Sequence, residues 1–195
     1  TGGILVFDLP DLPVMGGGNV LVRDNLVAAN TTANFAPEGN IVASVRRGTG
    51  IMVMANDNVW VGENLLYDNP TAPIMVIAYP LAFDDPDYDP YPRNVTVAWN
   101  RIDEGGTDPQ IDGAEQLLAA FGGALPPVMW DGLTGDPAAT TLTVHPDIAG
   151  WTLNLTEQGQ GMGNARPGPL AVGAPGEPVA TEGWGAGAEL EARLK

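Results

Sequence analysis

The feature that most constrains the fold is an internal repeat. Residues 50–69 read GIMVMANDNVWVGENLLYDN, and the segments on both sides carry the same residue types in the same order. Because Ile51 and Ile74 are 23 positions apart, the period suits one turn of a solenoid built from short stacked strands. We name the copies by their bounds: repeat A (3–30), repeat B (50–69) and repeat C (73–105).

Equivalent positions of the three repeats carry the same type of side chain. Apolar residues alternate within each copy, which predicts period-2 strands with one face in a shared core. Parallel stacking would bury each row on itself, which one repeat cannot do alone. The rows are Ile4/Ile51/Ile74, Val6/Val53/Val76, Val20/Val59/Val95, Val22/Val61/Val97, Asn25/Asn64/Asn100 and Val27/Leu66/Ile102.

The asparagine row has its own interpretation. Asn25, Asn64 and Asn100 each follow a predicted strand, where asparagine tolerates left-handed backbone and its amide can bond to the turns above and below. A buried amide needs partners, and stacking supplies them. We therefore predict a structural ladder rather than a ligand site.

Four segments carry a resemblance to a known family: GILVFDLP at 3–10, NFAPEGNIVASV at 34–45, GTGIMVMAN at 48–56 and VMWDG at 128–132. The chain resembles the right-handed parallel β-helix (pectin-lyase-like) superfamily, which includes pectate lyases, polygalacturonases and mannuronan C5-epimerases. Within it, the chain is most similar to bacterial secreted parallel β-helix repeat proteins. The resemblance implies an all-β, right-handed parallel β-helix and an extracellular, periplasmic or cell-envelope location, and it transfers no catalytic residue.

Charge restricts the partners. Acidic residues outnumber basic ones 24 to 8, giving a net charge of −16, which disfavours nucleic acid and anionic membrane surfaces. A polyanionic sugar would be repelled as well unless a divalent cation intervened. There is no cysteine, and we predict no membrane span because no apolar run of 18 residues occurs.

We expect one β-helix domain at 1–155 and a tail rich in Gly, Pro and Ala at 156–195. Repeat A begins at residue 3 without a preceding cap, so we expect a mature or truncated piece whose missing coils hold part of any site. Three further elements are predicted at the sequence level: an insertion at 31–49 with an extra strand at 41–45, a covering segment at 106–155 with a helix at 112–121 capped by Asp112, and a terminal helical turn at 186–194.

Corner lengths predict a groove. Repeat A has a long corner loop at 8–17 and repeat C one at 80–92, whereas the corner of repeat B is only 56–57. Two long loops beside a short one would form the walls of a groove over repeat B. Enzymes with the β-helix fold have their active sites in such grooves, so by fold analogy we expect any site to lie there. The candidate catalytic residues there are Asp11, Asp57, Asp84, Asp85 and Arg93.

The loop of repeat C contains four carboxylates within six residues. Asp85, Asp87 and Asp89 alternate along it and are candidate hard-oxygen ligands for Ca²⁺, the one cofactor we consider. The spacing lacks the glycine and distal glutamate of a helix-loop-helix calcium site. A solvated acidic loop is the alternative.

Aromatic residues near this loop predict a stacking platform for sugar rings. The candidates share a ring with a polar tip, and ordinary surface positions are the alternative. They are Trp60, Tyr79, Tyr88, Tyr91 and Trp99.

An apolar stripe should lie on the outward face of the first strands. The insertion or the tail could pack across it, or the stripe could bind a partner or a second copy. Its members are Leu5, Phe7, Met52, Met54, Met75 and Ile77.

Three functions remain open. We favour a secreted or envelope protein that binds polysaccharide or cell-envelope glycan, or serves as a scaffold, without a catalytic motif. One alternative is a carbohydrate-active enzyme: a glycoside hydrolase needs two carboxylates about 5 to 9.5 Å apart, and a Ca²⁺-dependent uronate lyase or epimerase needs a cation, a base and a basic residue. The other is a subunit that assembles through the apolar stripe. We expect the sole histidine, His145, to be structural.

Overall fold

The computed structural model describes residues 1–181, so the helical turn predicted at 186–194 lies outside the described residues. Strands dominate this part of the chain. Its helices are short, and none has the length and apolar character needed to cross a bilayer. The strands of residues 1–181 are β1 (Ile4–Phe7), β2 (Gly18–Arg23), β3 (Leu26–Ala28), β4 (Thr49–Met54), β5 (Asp57–Gly62), β6 (Leu65–Asn69), β7 (Ala72–Ile77), β8 (Arg93–Ala98), β9 (Arg101–Gly105), β10 (Val128–Trp130), β11 (Leu142–Val144), β12 (Gly150–Thr152) and β13 (Gly168–Pro169); the helices are α1 (Ala114–Phe121) and 3-10 turns at Ile41–Ser44 and Met162–Asn164.

The strands form three sheets, and equivalent strands of successive repeats are neighbours in each. The first sheet has the order β1-β4-β7-β10-β12-β13, the second β11-β8-β5-β2 and the third β3-β6-β9. Pairing is parallel except between β12 and β13. A mainly β protein with parallel sheets is therefore confirmed.

The register confirms the five predicted apolar rows of side chains. Ile4 pairs with Ile51 and Ile51 with Ile74, and the valine rows pair in the same way in the second sheet. Ile51 and Ile74 are fully buried, in a continuous core made almost entirely of branched aliphatic side chains. Burial of these rows on one another is the main stabilising contribution, since each buried Val or Ile side chain contributes about 2 kcal/mol.

The predicted asparagine ladder is also confirmed. The backbone N–H and side-chain amide of Asn25 both donate to Oδ1 of Asn64, at 3.0 and 2.9 Å. Asn64 repeats both bonds to Oδ1 of Asn100 at the same distances. The amide of the buried Asn64 also donates to the carbonyls of Val22 and Gly62, so every polar atom of its side chain has a partner.

The backbone explanation for the ladder was wrong in one respect. The left-handed residue at this corner precedes the asparagine: φ is 57° at Asp24, 56° at Glu63 and 54° at Trp99. The asparagine itself does not adopt the left-handed conformation, and its side-chain amide donates to the asparagine of the neighbouring repeat. A second ladder, which the sequence analysis missed, joins Asn30 to Asn69. The side-chain amide of Asn30 donates a hydrogen bond to Oδ1 of Asn69 at 2.7 Å.

The insertion at 31–49 does not add a strand. Residues Ile41–Ser44 form a 3-10 helix, whose Asn40 side chain accepts from the N–H of Val42. The amide of Asn34 donates to the carbonyls of Val42 and Val45, which holds this segment in a compact turn. These local side-chain hydrogen bonds compete with strand pairing, which explains why the apolar pattern at 41–45 wrongly predicted a strand.

The covering segment extends the sheets. Strands β10 and β11 pair with β7 and β8, and β12 pairs with β10. The helix α1 ends at the left-handed Gly122 as predicted, but Asp112 does not cap it, because the N-cap is Gly113 at φ 72°. The buried Leu117 of α1 packs beside Leu125 and Leu153.

The described part of the tail is more ordered than predicted. Strand β13 pairs antiparallel with β12, Leu170 donates its N–H to the carbonyl of Gly150, and Val172 bridges to Val144. Backbone hydrogen bonds need no large side chains, so a composition rich in Gly and Pro does not prevent a segment from covering a sheet edge.

Candidate functional site

The predicted groove over repeat B is filled by the loops that were expected to wall it. The N–H of Asp11 donates to Oδ2 of Asp85 at 3.0 Å, which joins the two long loops. The hydroxyl of Tyr88 donates to the carbonyl of Asp8 at 2.9 Å, below the surface. Asn56, at the short corner between them, is only 5% exposed. The expected open groove is therefore wrong, because apolar side chains of the loops fold inward and draw the loops together.

The candidate carboxylates are placed in different surroundings. Asp85 is the most engaged, since its other oxygen accepts from the N–H of Asp87 at 3.0 Å. Asp57 lies at the start of β5, where it accepts from the amide of Asn94 at 2.8 Å. Asp11 and Asp84 are exposed on the loops. The structure thus joins Asp11 to Asp85 through a backbone contact and places Asp57 in a separate corner contact.

Arg93 braces the acidic loop. Its Nε lies 2.9 Å from Oδ2 of Asp89, and a second nitrogen reaches the other oxygen of that carboxylate at 3.3 Å. The guanidinium also donates to the carbonyl of Thr134 and lies 5.2 Å from the ring centre of Tyr91. These contacts occupy the guanidinium, so Arg93 has a structural role: it holds the acidic loop against Thr134.

The acidic loop does not fold around one point. Asp85 faces the loop of repeat A, Asp89 pairs with Arg93, and Asp87 is exposed. Within residues 1–181, no three Asp, Glu or His side chains are grouped closely enough to hold a metal ion. The predicted Ca²⁺ ligand set of Asp85, Asp87 and Asp89 is therefore not assembled, since turn-forming bonds direct the carboxylates apart.

The predicted aromatic platform separates into an interior and an exterior part. Trp60, Tyr79 and Tyr88 are 2%, 7% and 6% exposed, so they present no face to a sugar. Tyr79 and Tyr88 pack edge to face beneath the loops, and burial raises the pKa of Tyr88 above its usual range. Tyr91 is half-buried beside Arg93, and Trp99 is 48% exposed.

The apolar stripe is covered. Met52 and Met54 are buried, and the other members pack half-buried against the 3-10 helix at Ile41–Ser44 and the two long loops. Of the two interpretations of the stripe, packing by the insertion is the one observed. An assembly surface formed by Leu5, Phe7, Met52, Met54, Met75 and Ile77 is wrong, because intramolecular contacts already occupy it.

Trp99 is a large aromatic residue that is both exposed and left-handed in its backbone conformation. It follows β8 directly and adopts φ 54°, a left-handed conformation that costs a bulky residue about 1–2 kcal/mol. Its ring centre lies 5.5 Å from that of Trp60 at 53°, and 5.8 Å from the ring of His145. Trp60 points outward from β5 by strand alternation and is buried under these neighbours.

The aromatic patch has a polar rim. Nδ1 of His145 lies 3.3 Å from Oδ2 of Asp147, whose side chain is 79% exposed. We define Trp60, Trp99 and His145 as the Trp99 patch. His145 thus has a role beside Trp99 that the sequence analysis missed, and the signal was its position directly after β11, the neighbour of β8.

Asp131 was also missed. Its half-buried carboxyl group accepts from the N–H of Ala78 at 2.7 Å and of Leu133 at 2.9 Å, which ties the end of β7 to the end of β10. Burial raises the pKa of Asp131 from 3.8 to about 6, although the two backbone bonds oppose the rise. An aspartate directly after the strand 128–130 was the available signal.

A cavity of about 580 Å³ lies between α1 and the 3-10 helix at Met162–Asn164. Its walls include Leu117, Ala120, Met162 and Pro167. None of the sequence-predicted site residues lines it. This cavity has an apolar lining without a converging set of charged groups, so its geometry indicates no particular chemistry.

Comparison with known proteins adds no assignment to this geometry. No protein-family model, no curated protein and no solved structure matches the chain. The site is therefore interpreted from its own residues.

Proposed function

We propose that this protein is a non-catalytic polysaccharide-binding module of the cell envelope or the extracellular space, and that the Trp99 patch is its sugar-stacking surface. We further propose that its sheets form a right-handed parallel β-helix. Parallel pairing of each strand with its counterpart one repeat later supports this architecture. The enzyme alternative has no comparable support, because the carboxylates of Asp57 and Asp85 are engaged in separate contacts, while Asp11 and Asp84 are exposed on the loops.

The observation that carries the proposal is the exposure of a braced tryptophan in strained backbone. The equivalent corner positions hold Asp24 and Glu63, so the corner itself does not require an aromatic residue. The left-handed backbone is common to this corner in all three repeats, so the exposed indole, and not the turn, distinguishes Trp99. Trp60 and His145 fix the indole of Trp99 from below and from one side, leaving about half of its surface exposed.

A pre-oriented indole suits the apolar face of a pyranose ring. A rigid aromatic side chain loses little conformational entropy when a ligand binds. The favourable free energy of a weak stacking contact is therefore not cancelled by the cost of ordering the side chain. Asp147, whose carboxylate lies beside His145, offers hydrogen-bond acceptors for sugar hydroxyl groups. Together these features fit a saccharide better than an apolar ligand.

The negative charge of the protein restricts which polysaccharides it can bind. The net charge of −16 repels polyuronates and sulfated glycans at moderate ionic strength. The carboxylate of Asp147 adds negative charge at the patch itself. We therefore propose an uncharged polysaccharide as the ligand class.

The test is calorimetric titration with a panel of uncharged oligosaccharides, using the β-glucan, mannan and xylan hexamers. We expect one of them to bind the wild type, and Trp99→Asn to weaken that binding at least about tenfold, the equivalent of roughly 1.4 kcal/mol. Tyr67→Ala is the matched control, because Tyr67 is similarly exposed, at 45%, on the neighbouring sheet. Failure of the whole panel to bind, or unchanged affinity in Trp99→Asn, would contradict the proposal.

A further inference from the structure

Four Asp–Pro peptide bonds occur in the chain, at 85–86, 89–90, 108–109 and 136–137. Such a bond can be broken by its own aspartate, because the side-chain carboxyl group lies beside the carbonyl carbon of the same residue and can attack it. The proline nitrogen has no N–H and departs as a secondary amine. The reactivity of each bond then depends on how free the carboxyl group is and how strongly the carbonyl group is polarised.

The carboxyl groups of the four aspartates differ in their contacts. Oδ1 of Asp136 accepts from the N–H of Ala138 at 2.8 Å, but Oδ2 accepts no hydrogen bond from any residue in 1–181. In each of the other three, both carboxyl oxygens accept a hydrogen bond: those of Asp85 from the N–H groups of Asp11 and Asp87, those of Asp89 from Arg93, and those of Asp108 from Arg47 and Gln110. Asp136 therefore retains a free oxygen for attack, and its side chain is exposed to the water that the reaction needs.

The carbonyl group of Asp136 is strongly polarised. Its oxygen accepts from the hydroxyl of Thr134 at 2.9 Å and from the N–H of Ala139 at 3.0 Å. The carbonyl oxygens of the other three aspartates each accept at most one hydrogen bond from residues 1–181, at 3.3 Å or longer. Donors at about 2.7–3.1 Å stabilise the negative charge that develops on such an oxygen in a tetrahedral transition state. Thr134 and Ala139 thus form an oxyanion hole for attack on this carbonyl group.

The hydroxyl group of Thr134 is held in the orientation that this role requires. Its oxygen accepts from the hydroxyl of Thr141 at 3.0 Å and from the guanidinium of Arg93 at 3.3 Å. A hydroxyl group has two acceptor lone pairs and one proton. Because both lone pairs face donors, the proton is directed to the carbonyl oxygen of Asp136.

We propose that the bond between Asp136 and Pro137 is a self-cleavage site. In the carboxylic acid form, an oxygen of the Asp136 side chain attacks the carbonyl carbon of the same residue. The C–N bond to Pro137 breaks, and the carboxyl proton passes to the proline nitrogen. The product is a cyclic anhydride, which one water molecule opens to two carboxyl groups, so the net reaction is hydrolysis of one peptide bond.

The strand pairing determines what cleavage produces. The cut falls between β10 and β11, while β11 pairs with β8 and β12 pairs with β10. These parallel pairs hold 137–195 against 1–136 after the bond is broken. The product is therefore a nicked protein whose two pieces separate only on denaturation.

The test is incubation of the full chain at pH 4 and pH 7, followed by mass spectrometry of the denatured products. We expect two fragments, 1–136 and 137–195, whose masses sum to that of the chain plus one water. Cleavage should be faster at pH 4, because the reaction uses the protonated carboxyl group. The other three Asp–Pro bonds are controls within the same molecule, and 136–137 should be cut at least about tenfold faster than any of them. In urea the four rates should become similar, since unfolding removes the donors.

Protein variants identify the groups that act. Asp136→Ala removes the attacking carboxyl group and should abolish cleavage at 136–137, whereas Asp108→Ala is the matched control at another Asp–Pro bond and should leave that cleavage unchanged. Thr134→Val removes one donor of the oxyanion hole and should slow cleavage at least about tenfold. Thr134→Ser keeps the hydroxyl group and should be cut like the wild type.

The proposal is overturned if the native chain is not cut at 136–137 at pH 4, or if all four Asp–Pro bonds are cut at the same rate. It is also overturned if Thr134→Val is cut as fast as the wild type. A rate constant that rises with protein concentration would have the same consequence, because cleavage would then be performed by another molecule.

Discussion

The side-chain oxygen of Asn64 accepts two hydrogen bonds from Asn25, 39 positions earlier, and its amide donates to two carbonyls as well as to Asn100. One buried side chain thereby joins three repeats. It also satisfies a backbone N–H at the corner where the chain turns from the second sheet to the third. The ladder stabilises the turn and fixes the register of the repeats at once.

Replacement of Asn64 by alanine is expected to be strongly destabilising. The change removes the acceptor for the N–H of Asn25 and the donor to the carbonyls of Val22 and Gly62. Because buried groups would be left unpaired, we expect a loss of about 3 kcal/mol in the free energy of unfolding. Urea denaturation measures it, with the exposed Asn58→Gly as a control that should change stability by less than about 1 kcal/mol. Equal effects of both variants would argue against the ladder.

Asp131 is expected to make stability depend on pH. Burial raises its pKa in the folded protein from 3.8 to about 6. Its protonated form is therefore favoured by folding, so this contribution is fully present below pH 3.8 and is lost as the pH rises through about 6. The shift corresponds to about 3 kcal/mol.

The measurement for Asp131 compares wild type with Asp131→Asn by urea denaturation between pH 4 and pH 7. The variant cannot ionise at this position, so the wild type should lose stability relative to it as the pH rises. The variant also turns an amide NH₂ toward a backbone N–H, which lowers its stability at every pH without adding a slope. A constant difference between the two proteins over this range would contradict the raised pKa.

Met54 tests whether the apolar stripe is an interior surface. It is 2% exposed beneath the insertion and the loops, so Met54→Ala should create a cavity and cost about 3 kcal/mol. Sedimentation velocity should show the same association state for both proteins. If Met54→Ala is as stable as the wild type but has a different association state, the apolar stripe is an interface between proteins and not an interior surface.

Tyr88 is expected to hold the two long loops together. Tyr88→Phe removes the buried bond to the carbonyl of Asp8 and leaves that oxygen without its donor. We expect a loss of about 1 kcal/mol and faster proteolysis within 80–92. Tyr67→Phe provides the control, because Tyr67 is 45% exposed and its hydroxyl makes no hydrogen bond within the described chain. Unchanged proteolysis in Tyr88→Phe would show that apolar packing alone holds the loops.

Trp99→Asn separates stability from binding. Asparagine tolerates the left-handed conformation and relieves about 1 kcal/mol of strain, while loss of the contact with Trp60 costs a similar amount. We expect thermal denaturation to show a net change within about 1 kcal/mol. A loss above about 3 kcal/mol would indicate that Trp99 is mainly a packing residue.

The sequence predicted the strands and their partners well, because period-2 alternation repeated at a constant spacing leaves few ways to bury the apolar rows. Ile51 and Val61 occupy the positions that this pattern requires. The candidate sites were predicted poorly. Trp60 and Tyr88 are polar-tipped aromatic residues that occur both inside and at surfaces, and local sequence does not distinguish the two environments.

The sequence by itself determined the repeat, the parallel stacking and the first asparagine ladder, because these depend on periodic positions that pair with their own counterparts. Only the tertiary structure decided that the loops at 8–17 and 80–92 close over repeat B, that the insertion covers the apolar stripe, and that Trp99 remains exposed. Those outcomes depend on contacts between segments as far apart as Asp11 and Asp85, 74 positions along the chain. Irregular segments have no period, so their position is set by the surfaces available to them once the sheets have formed.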